Sequence, residues 1–422
     1  MQFGIFYEHQ LPRPWQEDSE ARLIREALAQ VELADRLGID YAWEVEHHFL
    51  EEYSHSSAPE VFLAACAART ERIRLGHGIV LMPPGYNHPA RVAERIAMLD
   101  LVSGGRVEFG TGESASRMEL EGFGISPTDK RAMWQEAAAQ VALMLSQSPY
   151  PGYDGKYFKM PARNVVPKPV QKPHPPMWLA CSSRPMIHLA AQLGLGALTF
   201  AFVDVSEAKH WVADYYDTFK RECTPIGQAV NPNIAMVTGF SCHDDPAEAE
   251  RRGLQGFQFF GFALAHYYLL GGHVPGRTNV WELFRGNQIP LPGGSGGIGT
   301  PDQVRDAMHQ FEEAGVDQTV FIQQGGNNRH DDICAALELF AARVMPEFKE
   351  RHAARQRRKA EELAPYVEAA MKRKQWMKPL ADSEIPPVVA LGRQIAERAA
   401  AEGQPLPPNP VRERWVAALA KG

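Results

Sequence analysis

Residues 44–49 read EVEHHF, two adjacent histidines among glutamates just past an apolar run. Three chemistries suit such a cluster: metal ligation, proton transfer, or a plain polar strand end. Side chains alternate along an extended chain, so His47 and His48 point to opposite sides. They do not chelate one ion together, and no H-E-x-x-H or H-x-H spacing accompanies them, so no metal is expected. An imidazole near neutral pKa is suited to giving or taking a proton at a reactive oxygen, and Glu46 can orient or neutralise it. One of the pair, His48, is expected to be an ordinary packed histidine. Two further polar clusters are GTGES (110–114) and ACSSR (180–184). The first formally fits the G-x-G-x-x-A dinucleotide fingerprint. It follows a fourth strand, however, and the next segment is broken by two glycines and a proline, so it reads as a turn that lets backbone approach a ligand. The second joins the hydroxyls of Ser182 and Ser183 to Arg184 at a helix start, a pattern suited to a phosphate or to plain N-capping.

These clusters need a scaffold that brings them together. Short β-type runs alternate with amphipathic helical segments: strands at 3–7, 41–45, 72–82, 106–112, 176–181, 196–202, 233–242 and 318–324. Eight βα units in series predict an α/β (β/α)8 TIM barrel, with a doubly wound sheet plus a second domain as the alternative. In a barrel, the three polar clusters all fall where strands end, at one mouth. The barrel is read over 1–348, with an insertion at about 255–299 before the last unit. That insertion is rich in aromatics and glycine, as suits either a lid over an apolar pocket or an ordinary packed extension. Residues 349–422 form a basic, mostly helical C-terminal extension. It carries 15 Lys and Arg against 9 Asp and Glu, a net +6 that leaves −13 on the rest. The expectation is an arm that packs on the acidic barrel or on a sister subunit.

The whole chain of 422 residues carries a net charge of −7, with 45% hydrophobic and 23% charged residues. Neither nucleic acid nor an anionic membrane is an expected partner. No apolar stretch is long enough to span a bilayer, and the N-terminus lacks the features of a signal peptide. Five scattered cysteines, none spaced C-x-x-C, point to a reducing, cytoplasmic setting.

Taken in order, EHHF (46–49), the block from Ser56 to Gly112, WLACSS (178–183) and the segment 298–348 resemble the bacterial luciferase-like, flavin-dependent monooxygenase family. The resemblance covers about residues 1–348. It implies a (β/α)8 barrel, commonly a homodimer, that takes reduced FMN from a separate flavin reductase. It implies that O2 is trapped as the flavin C4a-hydroperoxide, which oxygenates a small hydrophobic organic substrate. His47 falls on the family's catalytic histidine, with Glu46 and His48 as its neighbours in the motif. The flavin-binding positions fall at Gly78, Ile79, Gly112, Glu113, Ala180, Ser182, Ser183 and Arg184, with a non-proline cis peptide expected at Gly78–Ile79. Where luciferase carries a cysteine and then a phosphate-binding arginine, this chain has Gly112 and Glu113. That departure argues against light emission and leaves Arg184 or Arg117 to replace the arginine. The aromatic insertion (Phe257, Phe259, Phe260, Tyr267, Tyr268, Trp281) would cover the substrate. A hydride-transferring flavin or deazaflavin oxidoreductase of the same barrel family and a non-catalytic flavin-binding relative are the alternatives.

Overall fold

The computed structural model describes residues 1–200, 202–287, 296–405 and 408–419. Eight parallel strands close into a barrel: β1 (Gln2–Tyr7), β2 (Tyr41–Glu44), β3 (Arg74–Leu81), β4 (Val107–Gly112), β5 (Met177–Cys181), β6 (Gly196–Thr199), β7 (Ile234–Thr238) and β8 (Gln318–Ile322). Each pairs with its sequence neighbours, and β1 closes on β8 with Gly4 beside Val320. The expected α/β barrel is thus the fold. The strands are shorter than their apolar runs. The run 233–242 breaks after Thr238, and Ser241–Cys242 pairs instead with Ile298–Gly299 in a separate ribbon.

Strand parity sorts the side chains into two layers. Phe3, Ile5 and Tyr7 of β1 face the surrounding helices, with Phe109 and Leu179 of other strands in the same core. Phe6, Trp43, Trp178 and Leu198 face inward and fill the barrel. Trp43 and Trp178 meet edge to face, ring centroids 5.3 Å apart. They fit because neighbouring strands carry glycine there. A Cβ on Gly76 would stand 2.2 Å from the Trp43 ring, and one on Gly196 would stand 2.4 Å from Trp178. The interior is therefore packed, not a pore.

The same parity continues past the strand ends. Beyond Gly4 and Phe6, the next inward position on β1 is Glu8; beyond Tyr41, Trp43 and Val45, the next on β2 is His47. Glu46 and His48 have the opposite parity.

The helix Pro246–Ala265 runs through the expected insertion boundary at 255 and continues as one π-helical turn, His266–Leu270. Phe257, Phe259, Phe260, Tyr267 and Trp281 are buried in the inner cluster that reaches down to Trp43. This part of the insertion is a packed aromatic layer above the barrel; residues 288–295 of the expected insertion lie outside the described residues.

The chain divides into two compact units, Met1–Lys378 and Pro379–Gly422. The first extends past position 348, because the helix Met345–Arg373 packs on the barrel end where strands begin. Its Lys359 Nζ lies 2.8 Å from Asp317 Oδ1 and bonds Asn233 Oδ1 at 2.6 Å. Lys349 pairs with Asp40, and Arg355 donates to the carbonyl of Val316 at 2.7 Å. The cationic arm thus neutralises acids at the lower rim of its own barrel. In the second unit the described α-helices are Leu391–Ala401 and Pro410–Leu419. No helix among the described residues is long and apolar enough to cross a membrane.

Candidate active site

At the strand-end mouth, His47 is held between two buried carboxylates. Its Nδ1 stands 3.0 Å from Glu119 Oε1, and its Nε2 stands 3.6 Å from Glu8 Oε2. The hydroxyl of Tyr268, from the π-helical turn, lies 3.4 Å from both ring nitrogens. Glu119 reaches the site through a local device. After β4 the chain turns at Ser114, whose φ of +61° is left-handed, and enters a short helix, Arg117–Gly122. The Ser114 hydroxyl donates to Glu119 Oε2, and the backbone N–H of His48 donates to Oε1 at 2.9 Å.

The two carboxylates differ in their environment. Burial works to raise the Glu119 carboxyl, but the His47 charge and the donors from His47, Ser114 and His48 outweigh it and hold it below the usual range. Burial raises Glu8 to about 7, opposed by the His47 charge and the Tyr53 hydroxyl, which donates at 3.0 Å. For His47, burial works to lower the imidazole; Glu119 and then Glu8 outweigh it and push it up to about 9.

Glu46 does not touch His47. It accepts from the Leu81 N–H and the Asn87 amide, both at 2.8 Å, and lies 3.3 Å from His48 Nε2. The groups on the His47 imidazole are Glu119, Glu8 and Tyr268 instead, because strand parity aims Glu46 away from it. His48 packs edge to face on Phe123, centroids 4.9 Å apart, and stacks on Tyr86.

Gly78 and Ile79 lie where the β3–β4 register shifts, between His77 and Val80. The cis peptides among the described residues are all X-Pro bonds, so the Gly78–Ile79 peptide is trans, contrary to expectation. The register shift supplies the local irregularity without the roughly 3 kcal/mol that a non-proline cis bond costs. Ile79 packs against Gly112, where a Cβ would meet its side chain at 2.6 Å.

Glu113 is not a bare anion at the mouth. Arg131 grips it with two bonds of 2.8 Å, and Lys130 Nζ lies at 3.2 Å. These two cations open the helix Lys130–Ser146, and Arg131 also acts electrostatically on the buried Cys181 thiol at the end of β5. Ala180 shares the inward parity of Trp178. Ser182 is exposed, and Ser183 caps the helix Arg184–Gln192 without a side-chain cap bond, so its hydroxyl is uncommitted there. Arg184 is drawn away, its Nε 2.7 Å from Asp214 Oδ2. Arg117 is paired with Glu121 and almost fully exposed. Both are paired with carboxylates, as Lys130 and Arg131 are with Glu113.

Sequence reasoning did not identify Glu8, Glu119, Tyr53, Lys130 or Arg131. Parity counted from FGIFYE could have found Glu8, since it sits two residues past the inward Phe6. Nothing local marks Glu119, which depends on the Ser114 turn.

A family model described as luciferase-like monooxygenase matches residues 1–318. The oxygenase component of the flavin-dependent trigonelline monooxygenase of Acinetobacter baylyi is 24% identical over 370 residues, 83% of this chain and 96% of that protein. Among solved structures, the monooxygenase RslO1 of Streptomyces bottropensis superposes with a TM-score of 0.67 at 27% identity, covering 82% of this chain and all of that one. The F420-dependent tetrahydromethanopterin reductase of Methanopyrus kandleri shares the fold, with a TM-score of 0.60 at 21% identity over 82% and 99% of the two chains. Two curated relatives of 35% and 32% identity are matched over about half their own length.

Proposed function

Since this chain belongs to the luciferase-like monooxygenase family, we propose that it is a flavin-dependent monooxygenase using reduced FMN from a separate reductase and O2 to oxygenate a small hydrophobic organic substrate. The observation that carries this reading is His47, clamped between Glu119 and Glu8 at the mouth of a packed barrel. The residues present fit a flavin phosphate: uncommitted hydroxyls at Ser182 and Ser183, a helix start behind them, and Arg131 within electrostatic reach of the adjoining Cys181. Gly78, Ile79, Gly112 and Ala180 would lie along the ring. Glu113 would act indirectly, by holding the two cations.

When bound, reduced FMN supplies the two electrons that split O2 between substrate and water. The protein manages protons and water. Glu119 fixes the imidazole through Nδ1 and keeps it charged, leaving Nε2 to donate to a developing oxyanion. Tyr268 lies over that ring and completes the wall. The aromatic layer of Phe257, Phe260 and Tyr267 would shield the reaction from solvent and offer an apolar face to the substrate. Glu46 and His48 support the β3 end of the mouth.

The test is a rapid-mixing experiment. Protein with reduced FMN is mixed with O2, and the return of oxidised flavin absorbance is followed. A long delay, with oxygen from O2 recovered in an added apolar substrate, is the expected result. Immediate return of oxidised flavin, or hydride transfer from reduced F420 without O2, would overturn it.

A further inference from the structure

Glu8 is buried between Tyr53 and His47. The residue is 2% exposed, and its two carboxyl oxygens differ. Oε1 accepts from Tyr53, whereas Oε2 is buried without a hydrogen-bond partner and aims at His47 Nε2, 3.6 Å away. A buried, unpaired carboxylate oxygen is costly, and facing an imidazolium is one way a fold tolerates it. The gap is beyond a hydrogen bond, yet a sub-ångström movement of either side chain closes it.

We infer that Glu8 is a positioning residue whose carboxyl, with Oε2 facing His47 Nε2, holds a second proton in store for that nitrogen. When Nε2 gives its proton to an oxyanion, the Glu8 carboxyl proton passes to Nε2. Glu8 is left as the carboxylate, and a proton from solvent restores it. No electrons move. Glu119 does not do this, because Ser114, the His48 N–H and His47 already occupy it as an anion. The titratable groups facing Glu8 are His47, Tyr53, Glu44, Glu119, His9 and Tyr268. His9 is engaged by Glu44 at 2.8 Å, and both tyrosines are raised by burial, so within the working range Glu8 exchanges protons with His47. The pair then titrates as a unit in two steps, the lower near 7 and the upper near 9.

This inference rests on the assignment of His47 above, but its test needs neither flavin nor oxygen. The ring of His47 is followed by histidine-labelled NMR across pH in the intact protein, with His47→Gln identifying its signal. Two inflections are expected in the native protein. Glu8→Gln should abolish the lower one and shift the upper one down by about one pH unit; Glu8→Asp should restore two. Tyr53→Phe, which removes only the donor to Glu8, should move the lower inflection upward, and it carries the test if Glu8→Gln does not fold. An unchanged His47 titration in Glu8→Gln, or an unmoved lower inflection in Tyr53→Phe, would overturn the stored proton. If the titrations couple while the rapid-mixing experiment fails, the proton pair stands and the monooxygenase reading falls.

Discussion

The two ends of the barrel treat buried charge in opposite ways. At the lower end, Asp317 is saturated: Lys359 and the Ile234 N–H reach it at 2.8 and 2.9 Å, and Tyr216 donates as well. Asp40 is likewise shared between Lys349 and the Phe3 N–H. At the upper end, Glu8 and Glu44 each keep one buried oxygen without a hydrogen-bond partner. The backbone shows the same asymmetry. The non-glycine residues with positive φ among those described are His9, Phe49, Glu51, Ser114, Phe202 and Gln324, and every one follows a barrel strand at the upper end. Left-handed backbone gathers at the end that holds the candidate site, and Asp317 and Asp40 are paired at the end where the helix Met345–Arg373 is fastened.

That contrast predicts that damage at the two ends reads out differently. The largest effect on turnover is at the top: His47→Ala should lower oxygenation turnover per folded molecule by about 10²- to 10⁴-fold. Next is the bottom. Lys359→Met strands Asp317 and should cost about 3 kcal/mol of stability in denaturant unfolding, the low end for a broken buried pair. Turnover per folded molecule should stay unchanged. A fall in turnover at 25 °C with full folding would erase the distinction between the ends.

A smaller effect comes from pH. Glu8 and His47 both bind their protons more tightly when folded, so their contribution to stability is whole below the unfolded values. It is lost as pH rises through about 7 and then about 9. Glu119 has the opposite sign, and its contribution is lost as acid protonates it below the ordinary glutamate range. Chemical denaturation series should therefore show stability falling from pH 7 to 9, with His47→Gln flattening that slope. An equal slope in the variant would place the titration elsewhere. The smallest effect is expected for Tyr268→Phe. Its hydroxyl contacts His47 at 3.4 Å, beyond good hydrogen-bond length, so turnover should fall by no more than about tenfold. A loss matching that of His47→Ala would make Tyr268 a proton donor in its own right.

Much of the architecture was legible in the chain. Eight apolar runs alternating with helical ones predicted the barrel, and the strand-end positions of EHHF, GTGES and ACSSR predicted a shared mouth. The residue contacts were less legible. Glu46, adjacent to His47, is turned to Leu81 and Asn87, and Arg184 is captured by Asp214 from the next helix. Both pairings depend on groups more than 25 residues away, which no local spacing reveals.

What the sequence determined by itself is the alternation: period-two strands fix that His47 and Glu8 face inward while Glu46 and His48 do not. Only the tertiary structure decided what meets His47 there. Closing β1 beside β2 brings Glu8 to Nε2, and the left-handed turn at Ser114 swings Glu119 to Nδ1. The physical reason is range. Alternation is set by neighbouring peptide units, whereas a proton affinity is set by charges that come within a few ångströms only after the barrel closes.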